Sequence, residues 1–239
     1  MKKAKKILTS PVTTIAAFVL AAGLLLFSSV GGARAALTYF SDDYSSDIRL
    51  EEIGVTLLEN GAGVRGELLT GLIPEGESLK FGKAYPEVLS VQNSGAINEY
   101  VRVSIYKYWT DEDGEKLTTL SPDLIGLNLA NVGSGWILDG EASTSERTVL
   151  YYSGLLGTGE STPAFTDTLT IDGDIAGRVR QTSVSSGGYT TITTIYEYDG
   201  ARFCVEAKVD AVQEHNAQDA IWSAWGRRVT VNNGVLSLN

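Results

Sequence analysis

The side chains that most often carry chemistry are sparse in this chain. His215 is its only histidine and Cys204 its only cysteine. A zinc pair of the His-x-x-x-His kind cannot form around a single histidine. A Ser–His–Asp triad would have to be built on His215, which stands beside a helix start with no G-x-S-x-G turn to present a serine. His215 therefore reads as a surface or capping residue. Cys204 has only that histidine as a base. In "RFCVEAKV" it alternates out of phase with Phe203, Val205, Ala207 and Val209, as a small, partly covered thiol on the second face of a strand would. "DEDG" at 111–114 and "DGD" at 172–174 look like calcium loops, but neither continues into the spacing of an EF-hand. Asp-Gly between strands is a hairpin signal in its own right, so both read as turns. No glycine-rich loop feeds a helix as phosphate binding requires. Carboxylates are numerous enough for the acid pair of a glycosidase, yet nothing singles out two. No catalytic residue, metal ligand or cofactor is assigned, and the chain reads as a non-enzyme.

The remaining candidates are aromatic. Tyr100, Tyr106, Tyr108 and Trp109 can form a sugar- or partner-facing stripe, or cross-strand packing. Trp222 and Trp225 are expected to plug one end of the fold.

The elements that must position these residues are mostly strands. "IGVTLLE" (53–59) and "VRGELLTGL" (64–72) flank the turn "NGAG", and "KFGKAYPEVLSVQ" (80–92) and "EYVRVSIYKYW" (99–109) flank "NSGAIN". In the last, Val101, Val103, Ile105 and Lys107 alternate with Tyr100, Arg102, Ser104 and Tyr106, which puts one face on a core and the other in water. Pro86 predicts an edge strand or a bulge. "DLIGLNLA", "RTVLYYS", "FTDTLTID", "YTTITTIYEYD", "RFCVEAKVDAVQ" and the tail "RRVTVNNGVLSLN" continue in β-branched and aromatic residues. One segment, 215–226, has helical spacing: Ala217, Ala220, Ile221 and Ala224 share a face and Gly226 ends it. The expected fold is all-β: a jelly-roll-like β-sandwich with a short helix near the C-terminus.

A cleaved signal peptide is expected ahead of it. Lys2, Lys3, Lys5 and Lys6 precede an apolar run from Ile15 to Phe27, and "ARA" supplies an A-x-A site at Ala33 and Ala35, with cleavage before Ala36. The uncharged span 7–33 is long enough to cross a bilayer, but no cation cluster follows to stop transfer. No stable membrane span is expected after cleavage. Loss of 1–35 removes four lysines and Arg34 and no acid, so the formal net charge moves from −10 to −15. A chain so acidic repels nucleic acid and anionic membranes. One cysteine allows no internal disulfide, so stability must come from the core, and about 200 residues suffice for one. The expected organisation is a signal peptide at 1–35, an N-terminal segment at 36–49 and the sandwich at 50–239.

Several stretches together resemble one group of exported proteins, the TasA/camelysin family processed by a SipW-type signal peptidase. They are the lysine-led signal, the start "ALTYFSDDYSSDIRL", then "LIPEGESLKFGKAYPEVLSVQNSGAINEYVRVSIYKYW", "SPDLIGLNL", "YYSGLLGTGESTPAFTDTLTI" and "VEAKVDAVQEHNAQDAIWSAWG". The likeness runs along nearly the whole chain. The family's usual Pro-Gly stands here as Pro74-Glu75-Gly76. The resemblance implies a secreted protein of the extracellular matrix or cell surface of a Gram-positive cell, a fibre subunit of the biofilm matrix. Its partners would be the signal peptidase during export and then copies of itself or a homologous subunit. It also implies that the N-terminal strand of one subunit adds to the sheet of the next. Ala36, Leu37, Thr38, Tyr39 and Phe40 suit that donor strand, with Leu37 and Tyr39 on one face and Thr38 and Phe40 on the other. Such a head-to-tail contact does not close, so it propagates. The receiving groove is expected near Pro86 or the run 229–238. Camelysin members have been described as metallopeptidases, and this chain has no ligand cluster for that activity. The competing reading is a non-polymerising cell-surface binding module, a glycan adhesin or a minor anchoring subunit. An exposed aromatic face on the Tyr100–Trp109 strand would favour it.

Overall fold

Period-two alternation and frequent turn residues give strands along most of the chain. The structure, a computed structural model, describes residues 53–64, 66–186 and 189–239. The proposed signal peptide, the Ala33–Ala35–Ala36 cleavage site and the donor residues Ala36, Leu37, Thr38, Tyr39 and Phe40 lie outside the described residues. The strands are β1 (Val55–Glu59), β2 (Ala62–Gly63), β3 (Ala84–Pro86), β4 (Leu89–Asn93), β5 (Glu99–Thr110), β6 (Ile125–Leu129) and β7 (Trp136–Leu138). They continue as β8 (Arg147–Tyr152), β9 (Thr166–Ile171), β10 (Val179–Ser186), β11 (Tyr189–Tyr196), β12 (Arg202–Gln213), β13 (Val229–Asn232) and β14 (Val235–Leu238). One α-helix among the described residues, α1 (Ala217–Trp225), precedes the last hairpin.

The chain is all-β, and its strands lie in two main layers. One layer has the order β12-β5-β8-β7. The other joins β2-β1-β4 to β3-β9-β6. The join is made by backbone bonds from Glu87 N to Asp167 O, Phe165 N to Leu89 O, Thr162 N to Val91 O and Asn93 N to Glu160 O. Between the layers lie Leu89 and Val91 of β4, Val101, Val103, Ile105 and Trp109 of β5, and Ile125, Trp136, Leu150, Phe165, Leu169, Ile171 and Val205. Trp136 is fully buried, edge-on to Phe165 with ring centroids 5.3 Å apart. Its indole N–H donates to the Pro163 carbonyl at 2.8 Å, so the ring's polar end is satisfied in the core.

A second core corrects the expectation for β5. Its other face was expected to meet water, but Tyr100 is buried there with Val149, Tyr151, Val212, Ala217, Ile221, Val229 and Leu236. The helix and the β13–β14 hairpin cover that side of the sheet around Tyr100, while Tyr106 and Tyr108 further along the same face stay half-exposed. Trp109 shares the inner face with Val101, Val103 and Ile105, away from Tyr100, Tyr106 and Tyr108. Lys107 also points inward; its Nζ donates to the Ile125 carbonyl at 2.9 Å, and burial pulls its pKa down, partly offset by the charge of Asp123.

The tryptophans of the helix do not plug an end of the sandwich. Trp225 packs against Tyr151 and beneath Arg102, while Trp222 is exposed with Arg228 over its ring. The helix starts at Ala217 instead of His215 because Asn216 is left-handed, and Gly226 ends it with φ of 66°.

Two expected strands fail for local reasons. Residues 66–72 form turns, since Gly66, Leu69 and Gly71 all have positive φ. The run 80–92 splits into β3 and β4 because the chain changes partners at Glu87, from β9 to β1. Pro86 does lie on an edge, that of β3. Strands β7 and β10 were not anticipated.

The core position of Trp136 can be tested against the exposed Trp222. Trp136→Ala should cost about 3–5 kcal/mol in urea unfolding, and Trp222→Ala less than about 1 kcal/mol.

Candidate functional site

A strand in mid-sheet spends its hydrogen bonds on two neighbours; an edge strand leaves one row of N–H and C=O groups open. β12 pairs with β5 along all twelve residues, from Arg202↔Thr110 to Gln213↔Glu99, and ends its sheet. Across from it stands β1, whose hydrogen-bonded partners are β2 and β4. Between β1 and β12 runs a groove of about 800 Å³. Leu57, Val64 and residues 66–69 form one wall, and Phe203, Val205 and Ala207 the other. Tyr108, Thr110, Cys204 and Glu206 rim it. The lining is half apolar and, among the described residues, no strand pairs with the edge beside it, which suits an extended peptide.

Its walls are held by carboxylates. Glu59, at the end of β1, accepts the Leu69 amide at 2.7 Å and so folds the positive-φ turn against the groove. Glu87 is buried beneath it. Burial, then the charge of Glu59, then a hydrogen bond to Glu59 push the Glu87 pKa up from the ordinary 4.5 to about 7. On β9, Asp167 turns away from this pair to Asn128 and Thr168. At the other end of β1, buried Glu99 accepts the Gly54 amide at 2.9 Å. Burial raises its pKa and the amide lowers it in part. On the rim, the Tyr108 hydroxyl donates to Glu206. That bond, then burial, pushes the Tyr108 pKa up to about 12.

The residues weighed for chemistry fall as follows. Cys204 is a half-covered free thiol on the outer face, with Sγ 3.8 Å from Thr110 Oγ1. His215 is exposed just before α1, past the end of β12 opposite to that of Cys204. Asp111 accepts the amides of Asp113 and Glu115 and so builds a turn. Asp172 caps a short 3-10 turn through the Asp174 amide. Among the described residues no three His, Cys, Asp or Glu side chains gather as metal ligands, and no helix is long and apolar enough to cross a membrane. Neither Pro86 nor the run 229–238 lines the groove; the latter is folded as the β13–β14 hairpin. The groove was missed because its walls lie about 140 residues apart in sequence. The one local signal was "GVRGELL", whose glycines place a turn, not a strand.

No family model matches this chain, and neither a curated protein nor a solved structure is found similar to it.

The buried acid gives a signed expectation. A raised pKa means the folded state holds more protons than the unfolded chain between 4.5 and about 7. Stability from Glu87 is therefore full below 4.5 and lost as pH rises through about 7. Glu87→Gln, which stays neutral, should match the wild type in urea midpoint near the lower pH and exceed it above the upper one. Parallel pH profiles for the two proteins would refute the raised pKa of Glu87.

Proposed function

We propose that this protein is a secreted structural subunit of extracellular fibres that assembles by strand addition, and that the groove beside β12 receives the strand. The observation that carries this reading is the outer edge of β12, which no strand pairs among the described residues, facing β1 across a half-apolar groove. An incoming strand would supply backbone partners to β12 and bury alternate side chains against Leu57, Val64 and Val205. The donor is the segment Ala36, Leu37, Thr38, Tyr39 and Phe40 of a neighbouring subunit, after signal peptidase has cut before Ala36. The resemblance in ordered motifs to the TasA/camelysin family supports both parts.

The finer fold fits this reading as a jelly roll. β6 and β7 are consecutive, β5 pairs with β8, and β4 lies along the chain entering β9. In sequence each pair encloses the previous one; the innermost, β6 and β7, and the outermost, β1 and β12, each have one member in either layer and are not hydrogen-bonded to each other. A roll of nested antiparallel pairs is the jelly-roll plan, and the groove is the opening in its last turn.

The competing module with an aromatic binding face has less support. Tyr100 and Trp109 are buried in two different cores, so residues 100–109 present no continuous exposed stripe. Peptidase chemistry is not part of this proposal, nor is a cofactor.

Two variants test it by negative-stain electron microscopy. Leu37→Asp with Tyr39→Asp places charge on one face of the donor, and Val64→Arg places it on the groove wall. Each should abolish filaments, and a mixture of the two should form no more than short oligomers, while circular dichroism stays native. Filaments from the double aspartate variant would overturn donor-strand assembly. Because the chain is strongly acidic, wild-type filaments should also form faster as ionic strength rises.

A further inference from the structure

We propose that the β10–β11 ribbon, together with the aromatic hollow at its base, is a docking surface for a second copy of this chain. The hollow adjoins the groove, with which it shares Phe203, but the proposal does not rest on the donor-strand reading.

The ribbon is an unbroken eight-pair ladder, from Val179↔Tyr196 to Ser186↔Tyr189, and no third strand joins it among the described residues. Its described side chains, from Val179 to Val184 and from Ile192 to Tyr196, are all exposed. Val184 is 67% and Ile192 63% accessible, and Val179, Ile195 and Tyr196 are also bare. A lone two-stranded hairpin is marginal in water. Valine, isoleucine and threonine favour a pleated surface that is half covered.

The pairing places Val179, Tyr196 and Ile192 on one face and Arg180, Val184 and Ile195 on the other. The first face runs into a hollow of about 440 Å³ lined by Leu79, Phe81, Ile175, Tyr196 and Tyr198. Phe81, on the far side of that hollow, is itself 52% exposed. Ribbon and hollow meet at Tyr196, so the apolar side chains of the first face, spaced by Gln181, Ser183 and Thr194, lead into the hollow.

The strand edges are undefended. Natural edge strands are guarded by lysine, proline, inward charges or bulges. Residues 179–196 contain no lysine, proline, aspartate or glutamate, and the ladder is without a bulge.

Charge identifies the occupant. Between Asp174 and Glu197 the only charged residues are Arg178 and Arg180, in a chain with net charge −10. The ribbon is a cationic, apolar arm on an acidic protein. A second copy offers the complementary surface, such as the exposed carboxylates Glu112, Asp113 and Glu115 in the turn after β5. Opposite charge steers two such surfaces together, and the apolar residues hold them.

The test is amide hydrogen exchange, with sedimentation velocity, on the protein purified from producing cells. Wild type is compared with Ile192→Glu/Ile195→Glu, which charges both faces, and with Arg180→Glu. All are also made in a Leu37→Asp background, so that loss of donor-strand filaments does not obscure the result. The expected result is self-association in which amides of 179–196 exchange more slowly as concentration rises. The double variant should weaken that association by about tenfold or more and restore fast exchange, with its urea midpoint unchanged. Arg180→Glu should weaken it at low salt and less at high salt. Ribbon amides that exchange equally at every concentration, or association indifferent to all three substitutions, would overturn the proposal. So would protection that arises only when other matrix proteins or polysaccharides are added.

Discussion

A central strand that feeds a core on each face leaves its sheet open only at the outermost strand, and the β5–β12 ladder imposes that constraint here. β5 sends Val101, Val103, Ile105 and Trp109 into the inter-sheet core and Tyr100 into the smaller core under α1. Its edges are taken by β8 on one side and β12 on the other. The pairing of β12 with β5 over twelve residues therefore fixes both cores at once. It also pushes the open edge of the sheet out to β12, where the groove lies. Shifting that register by one residue would exchange the two faces of β12 and empty both cores together, so the position of the groove is bound to the stability of the fold.

The acids found inside the fold act on the same region. Glu99 holds the Gly54 amide at the start of β1, and Glu59 holds the Leu69 amide at its end. An amide bonded to a charged acceptor is held more firmly than one bonded to a neutral carbonyl. β1 is thus fixed at both ends by side chains and along its middle by β4. Glu87 makes this region sensitive to pH, because burial, and then the nearby charge of Glu59, favour its protonated form. On the outer side of the sheet, Arg102–Asp210 and Arg227–Asp139 serve the smaller core. Arg102 lies over Trp225 while bonded to Asp210 at 2.6 Å, so the helix is seated by charge and stacking as well as by Ile221.

How much of this was legible in the sequence depended on range. Strands with local alternation, such as 99–109 and 202–213, stand where their pattern puts them. The helix, its Gly226 terminus and the turn role of Asp111 and Asp172 are equally local signals. What failed were the inferences about what covers the outer face of β5 and what lies beside β12. Alternation in β5 marks two different environments, but it cannot say that the second is a core made by α1 and β13–β14. Tyr100 was therefore expected in water. The groove failed for the same reason, since Leu57 and Val205 meet only through topology. "VRQTSVSSGGYTTITTIY" carries a hairpin signal in its Gly-Gly pair, yet only its second half was taken as a strand, because serine and glutamine diluted the first.

An open strand edge and an undefended ribbon are hazards for most exported proteins, since any exposed chain can add to them. The charge of this protein bears on how such surfaces can coexist with solubility. With a net charge of −10, two copies that meet at random repel one another. Only approaches that bring a cationic or neutral segment against an acidic one escape that repulsion. The ribbon, with Arg178 and Arg180 and no acid, is such a segment. So is "ALTYF", which has no charge before Asp42. The long-range field rejects most orientations, and the short-range edges then hold the few that remain, which is specificity obtained by repulsion as much as by attraction. If copies assemble as proposed, the acidity of the chain is part of the assembly code: neutralising surface carboxylates would not simply speed ordered growth but would admit disordered contacts along the same edges.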